Sequence, residues 1–136
     1  MAIPKIVIDT NVLVSSLLSK RGASFRLIEQ CGLGVFHHVL SIPLALEYEA
    51  ACRFCIANPV EAEKFLRHLE DTAELAFHSF GVRPFLPDAK DDMVLEAAVN
   101  GHAPHIVTFN KRHFVGSERY GISVIGPGEL LSSIGL

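Results

Sequence analysis

Short apolar runs alternate along the chain with longer segments in which apolar residues recur every three or four positions. The short runs are rich in β-branched residues and predict strands at residues 3–8, 35–40, 106–109 and 122–125. The longer segments predict helices at residues 11–19, 23–31, 41–57, 60–76 and 88–100, with a last helix from Pro127. This alternation indicates a single α/β domain over residues 1–136, in which helices cover both faces of a central parallel sheet of about four to five strands, a three-layer fold.

Capping and helix-breaking residues set the predicted boundaries. Ser41 is a favourable N-cap for the third helix, and Asn58-Pro59 ends that helix and opens the next. Gly101 ends the fifth helix. Residues 77–87 contain glycine and two prolines and are predicted as a loop with at most a short extended piece.

Composition and charge narrow the class of protein. The chain is 49% hydrophobic and 20% charged, as expected for a globular domain, and its net charge of −3 excludes a broadly basic nucleic-acid coat. No secretory signal and no membrane-spanning run is present, so we expect a cytoplasmic protein. Cys31, Cys52 and Cys55 are then expected to be reduced, and the spacing of the last two favours buried apolar thiols over a zinc or redox half-site.

Polar residues follow directly after the first strand. Asp9, Thr10 and Asn11 separate two apolar segments. In parallel sheets ligands bind beyond the carboxyl ends of the strands, so Asp9 is a candidate site residue. The alternative interpretation is that Asp9 or Thr10 only caps the following helix.

Two further acidic positions stand out on helices. Glu47 lies at the edge of the apolar stripe that contains Leu44 and Tyr48, where a carboxylate is costly unless it reaches solvent or a cation. The segment PDAKDDMVLEAA holds Asp88, Asp91 and Asp92. An N-cap and the helix dipole account for much of this cluster, yet three carboxylates within five residues repel one another unless a cation or solvent intervenes.

The segment VTFNKRHF carries the last candidates. Thr108 and Asn110 stand at the carboxyl edge of the third predicted strand, and a helical turn is predicted at residues 111–114. A simple turn is the alternative interpretation of Asn110. Asp9, Glu47, Asp91 and Asn110 are all expected near one edge of the sheet, and oxygen ligands of this kind suit Mg²⁺ or Mn²⁺.

These segments resemble the PIN domain family, and specifically its toxin-component (VapC-like) branch. The resemblance covers nearly the whole chain, through VIDTNVLVSSLL, ALEYEAACR, DAKDDMVLEAA, HIVTFNKRHF and GISVIGPGELL. It implies a PIN-like fold and a Mg²⁺- or Mn²⁺-dependent endoribonuclease acting on single-stranded or structured RNA.

The resemblance also assigns roles to positions. Asp9, Glu47 and Asp91 match the principal acids, expected to be catalytic and, with Asn110, metal ligands. Asp91 is preferred to Asp92 because Leu95 and Ala98 then match the packing positions of the motif. Thr10, Asn11, Asp88, Asp92 and Thr108 match supporting polar positions. Asn110 stands where many PIN domains have a fourth acid, which removes one negative charge from the cleft.

The resemblance implies an RNA substrate, an antitoxin protein as partner, and a homodimer. The predicted helices at 11–19 and 23–31 are a candidate contact surface, or simply core. Lys20, Arg21, Lys111 and Arg112 are either phosphate contacts or a solvated basic surface. The alternative functions are a catalytically weak PIN-like module that binds RNA or protein, and a small phosphatase or receiver-type domain that also uses strand-end acids.

Overall fold

The computed structural model describes residues 3–77, 80–81, 83 and 85–136. Within these residues the chain forms five strands and six α-helices. The strands are β1 (Lys5–Ile8), β2 (His37–Leu40), β3 (Glu74–Leu75), β4 (His105–Val107) and β5 (Ser123–Ile125). The helices are α1 (Thr10–Leu18), α2 (Ala23–Glu29), α3 (Ile42–Cys55), α4 (Pro59–Asp71), α5 (Ala89–Asn100) and α6 (Pro127–Ser133).

Side-chain caps start three of the helices where the sequence predicts them. The Ser41 hydroxyl accepts the backbone N–H of Leu44 at 3.3 Å, and the Asn58 side chain accepts two N–H groups in the first turn of α4. Asp88 caps α5 by accepting the N–H of Lys90 at 2.9 Å. Each cap satisfies helix donors that would otherwise lack a partner inside the helix.

All strand pairs in the described sheet are parallel, in the order β3-β2-β1-β4-β5. The central strand β1 has Ile6, Val7 and Ile8 at 0 to 1% exposure. Successive strand residues face opposite sides of a sheet, so this burial requires cover on both faces. The α/β architecture predicted from the sequence is confirmed.

The strand order places a switch point beside β1. The chain adds β2 and β3 on one side of β1, then crosses to add β4 and β5 on the other side. In open parallel sheets ligands bind outside the carboxyl ends of the strands at such a point. Asp9 follows β1 and Thr108 follows β4, so both lie at this position.

Two predicted details are wrong. The fourth helix ends at Asp71 rather than near residue 76, and Glu74–Leu75 instead forms β3, paired in parallel with Val39 and Leu40. A 3-10 helix at Ser117–Tyr120 was not predicted, whereas the predicted turn at Lys111–Phe114 is present as a 3-10 helix. The predicted loop at 77–87 includes residues 78, 79, 82 and 84, which lie outside the described residues.

Cysteine burial matches the sequence interpretation at Cys52 and only in part at Cys55. Cys31 and Cys52 are buried, Cys55 is half-buried, and all three are free thiols. Burial raises the pKa of the Cys31 thiol to about 12 and that of Cys52 to about 11. A raised pKa disfavours the reactive thiolate form at Cys31 and Cys52. Among the described residues, no helix has the length and apolar character needed to cross a bilayer.

Candidate acidic site at the sheet edge

The Asp9 side chain is held by the neighbouring strand. The backbone N–H of Asp9 donates to the carbonyl of Val107 at 2.9 Å, which continues the β1–β4 pairing by one residue. The Thr108 hydroxyl donates to Asp9 Oδ2 at 2.7 Å. Asp9 occupies the N-cap position of α1 but makes no side-chain cap hydrogen bond. Its carboxylate is therefore not used to start the helix, and it is 8% exposed.

Thr108 is the centre of a small polar network. Its hydroxyl gives its single proton to Asp9 and accepts Asn11 Nδ2 at 3.3 Å and the backbone N–H of Asn110 at 3.0 Å. These contacts fix the direction in which the hydroxyl donates, and so orient the acid. Asn11 Oδ1 is buried and has no hydrogen-bond partner in the part of the chain that is described. Asn11 therefore has a buried acceptor that the described residues do not satisfy, on the side chain that also contacts Thr108.

Tyr48 contacts the end of β1, next to Asp9. The sequence places Tyr48 only on the apolar stripe of α3, but its hydroxyl donates to the carbonyl of Ile8, the residue before Asp9. Burial raises the pKa of Tyr48 well above its usual value, so it remains a neutral donor. The contact joins residues 40 positions apart, and no local pattern signals it.

Neighbouring acids at the start of α5 face different surroundings. Asp91 is 9% exposed, and its Oδ2 lies 3.4 Å from His113 Nδ1. Asp92 instead accepts the backbone N–H groups of Phe85 and Leu86 at 3.2 and 2.8 Å. Asp88 is exposed and caps the helix. The register preferred from the sequence, with Leu95 and Ala98 as packing residues, agrees with their 0% exposure.

Burial makes ionisation costly at both Asp9 and Asp91. It is the largest cause that raises the pKa of the Asp9 carboxyl, and the Glu47 charge adds to it. The hydrogen bond from Thr108, the Thr10 backbone N–H and the His113 charge act against this rise.

Asp91 responds to a similar set of influences. Its pKa is raised first by burial and then by the charge of Asp9. Asp88 and Asp92 raise it further, whereas His113 lowers it. The side chains of Asp9 and Asp91 are therefore close enough for one charge to oppose the other, which is the situation that a shared cation relieves.

The other two predicted ligands, Glu47 and Asn110, have less direct links to Asp9. Glu47 is half-buried on α3, and its contribution to the pKa of Asp9 places it within electrostatic range of that acid. Asn110 is exposed at the end of β4, and its backbone, not its side chain, contacts Thr108. The functional roles of the predicted site residues stay predictions.

The donor set suits a hard divalent cation that keeps part of its water shell. Within the described residues, no three His, Cys, Asp and Glu side chains are arranged as a group that could hold a metal ion. Mg²⁺ commonly uses one or two carboxylates together with waters and substrate phosphates rather than a complete protein cage. Asp9 and Asp91, whose charges oppose each other, fit that mode.

Fold and site together define an α/β protein with buried carboxylates at the switch point of a parallel sheet. The sequence profile of the PIN domain matches residues 5–112, most of the 136 residues, so the chain belongs to the PIN domain family. PIN domains are generally nucleases and typically use a divalent metal, and the family therefore indicates a nuclease-type module. No curated protein gives a significant match to this chain.

Proposed function

We propose that this protein is a Mg²⁺- or Mn²⁺-dependent endoribonuclease, and that it is the toxin of a toxin–antitoxin pair in the cytoplasm. The observation that carries the nuclease proposal is the pair Asp9 and Asp91. Both are mostly buried, the Asp9 charge raises the pKa of Asp91, and Asp9 is oriented by Thr108. A buried pair of opposed carboxylates has little structural benefit, whereas a metal-dependent phosphodiesterase needs one.

Each residue has a defined task in the proposed reaction. Asp9 and Asp91 would hold the divalent ion, which would relieve charge on the phosphate and lower the pKa of an attacking water. Thr108 and Tyr48 keep the Asp9 end of β1 in place. Glu47 is either a further ligand, directly or through water, or it positions the attacking water. Asn11 offers its free side-chain oxygen to a bound water.

The toxin assignment rests on the resemblance of the sequence to the toxin-component branch. It carries with it a proposed antitoxin partner and a proposed homodimer. Helices α1 and α2, the candidate contact surface, place Val12, Leu13 and Leu27 in the core at 0% exposure. Their exposed residues, such as Leu18 at 72%, are the part that remains for a partner.

The proposal is tested by cleavage of single-stranded RNA with Mn²⁺ and with EDTA. We expect metal-dependent cleavage that Asp9→Asn reduces by several kcal/mol of transition-state stabilisation, roughly a thousandfold. The melting temperature of this variant in EDTA should be equal to or above that of the wild type, because a buried charge is removed. Asp71→Asn, at the exposed end of α4, is the matched control and should cleave normally. Full activity in Asp9→Asn would refute the assignment.

A second candidate function is a PIN-like module that binds RNA or protein without cutting. One feature supports it: by the resemblance, Asn110 stands where many PIN domains have a fourth acid. The same experiment separates the candidates, because a binding module retains RNA equally with and without EDTA and leaves it intact.

A further inference from the structure

An exposed phenylalanine stands beside the buried acids. Phe109 follows Thr108 at the end of β4 and is 53% exposed. It lines a groove of about 610 Å³, together with Asn110, Lys111, Arg112 and Glu129. We call this the Phe109 groove. Thr108, which donates to Asp9, also lines it, so the groove and the acidic site share this residue.

The two basic side chains of the Phe109 groove differ, because one forms an ion pair among the described residues and the other does not. Lys111 is paired with Glu129, whose carboxylate also accepts the backbone N–H of Gly126. Arg112 is exposed and has no ion pair or side-chain hydrogen bond within the described part of the chain. It also lines a second groove of about 570 Å³ that contains Asp91 and His113. One unpaired guanidinium therefore lies between the acidic site and the Phe109 groove.

Phe109 makes no ring contact with another aromatic side chain among the described residues. Two other phenylalanines, Phe80 and Phe85, each pack edge to face against Tyr120. At 53% exposure and without such an aromatic contact among the described residues, the Phe109 side chain is accessible to a planar ligand. Unpaired nucleobases stack on aromatic side chains in this way, whatever their sequence.

We infer that Phe109 is a stacking platform for an unpaired base of the RNA substrate, and that Arg112 contacts a phosphate between this base and the acidic site. The inference rests on the proposed function for its substrate. It specifies the substrate class, because a base inside a duplex already stacks on its neighbours and has no free face for Phe109. The substrate is therefore single-stranded at this position.

The test measures binding of a fluorescent single-stranded RNA of eight nucleotides in EDTA, so that cleavage cannot occur. Phe109→Ala should weaken binding about tenfold or more, and Phe109→Trp should retain it. The matched control is Phe54→Ala, since Phe54 is 91% exposed on α3 and lines neither groove. The control should bind as the wild type does.

Two further measurements separate stacking from charge. In the first, an abasic nucleotide replaces each nucleotide of the RNA in turn. At one position, loss of the base should lower the affinity of the wild type but should not lower that of Phe109→Ala any further. Arg112→Gln should reduce the slope of log affinity against log salt by about 0.7, the value for one phosphate contact with a single strand. Phe109→Ala should leave that slope unchanged.

The inference is overturned if Phe109→Ala binds single-stranded RNA like the wild type, or if the abasic and Phe109→Ala losses simply add at every position. Absence of RNA binding by the wild type, with Mn²⁺ as well as in EDTA, also overturns it. The nuclease proposal is judged separately by cleavage with Mn²⁺. Binding that depends on Phe109, without any cleavage, would refute the nuclease proposal and support the stacking role of Phe109. Cleavage with an unchanged KM in Phe109→Ala would support the nuclease proposal and refute the stacking role.

Discussion

Asp91 and Asp92 are adjacent in the first turn of α5 and have opposite surroundings. Asp92 is 2% exposed, and its carboxylate accepts two backbone N–H groups from residues 85 and 86. Asp91 is 9% exposed, faces the charge of Asp9, and has His113 as the side chain in ion-pair range. The helix dipole favours both acids alike, so it does not account for the difference.

We interpret this contrast as one between a structural acid, Asp92, and a proposed metal ligand, Asp91. A buried carboxylate that accepts several hydrogen bonds stabilises the loop that supplies them. A buried carboxylate that faces another acid destabilises the metal-free fold, and its presence is explained by a cation that binds both. On this interpretation the two neighbours should respond in opposite directions when each is neutralised.

The largest effect on stability is expected at Asp92. Asp92→Ala leaves the N–H groups of Phe85 and Leu86 without their acceptor, and Leu86 is buried. The loss should lower the free energy of unfolding by roughly 2–4 kcal/mol, measured by urea denaturation in EDTA.

The control for this variant is Asp71→Ala, an exposed acid that should change stability by no more than about 0.5 kcal/mol. Asp92→Asn keeps a side-chain oxygen and should fall between the two. If Asp92→Ala were as stable as its control, the structural role assigned to Asp92 would be wrong.

A smaller effect of opposite sign is expected at Asp91. The pKa of Asp91 is raised in the folded protein, so the native state binds more protons than the unfolded chain between the ordinary pKa of 3.8 and the raised value. Ionisation at neutral pH therefore costs stability, and that cost disappears as the pH falls through the raised pKa. Asp91→Asn should melt at or above the wild-type temperature at pH 7 in EDTA.

The raised pKa of Asp91 also sets how the stability difference between Asp91→Asn and the wild type depends on pH. The advantage of Asp91→Asn should shrink as the pH is lowered from 7 towards 4, because protonated aspartate and asparagine are both neutral. Thermal melts at a series of pH values measure it, with Asp71→Asn as reference. An advantage that grew on acidification would contradict the direction of the shift.

Most of the fold follows from the sequence because its strands are compact apolar runs and its helices have marked caps. β3 does not, since a two-residue strand with exposed Glu74 and Leu75 carries no burial pattern of its own. The helical spacing continues through these residues, but α4 stops earlier, where the Thr72 hydroxyl bonds back to the carbonyl of His68. Pairing with β2 then decides the conformation.

The acidic site is predictable in part. Asp9 is signalled by its place after β1, and Asp91 by its register with Leu95 and Ala98. The contacts of His113 with Asp91 and of Tyr48 with Ile8 are not signalled, because they join segments that only tertiary packing brings together. The sequence also leaves open which of the clustered acids would be used to hold a loop.

The most direct test of the central claim is a calorimetric titration of Mn²⁺ into the metal-free protein. If Asp9 and Asp91 hold one divalent ion, the wild type binds Mn²⁺, each of Asp9→Asn and Asp91→Asn weakens binding about tenfold or more, and Asp71→Asn binds normally. Unchanged Mn²⁺ affinity in Asp91→Asn would contradict the shared ion and leave Asp91 as a helix-start residue only.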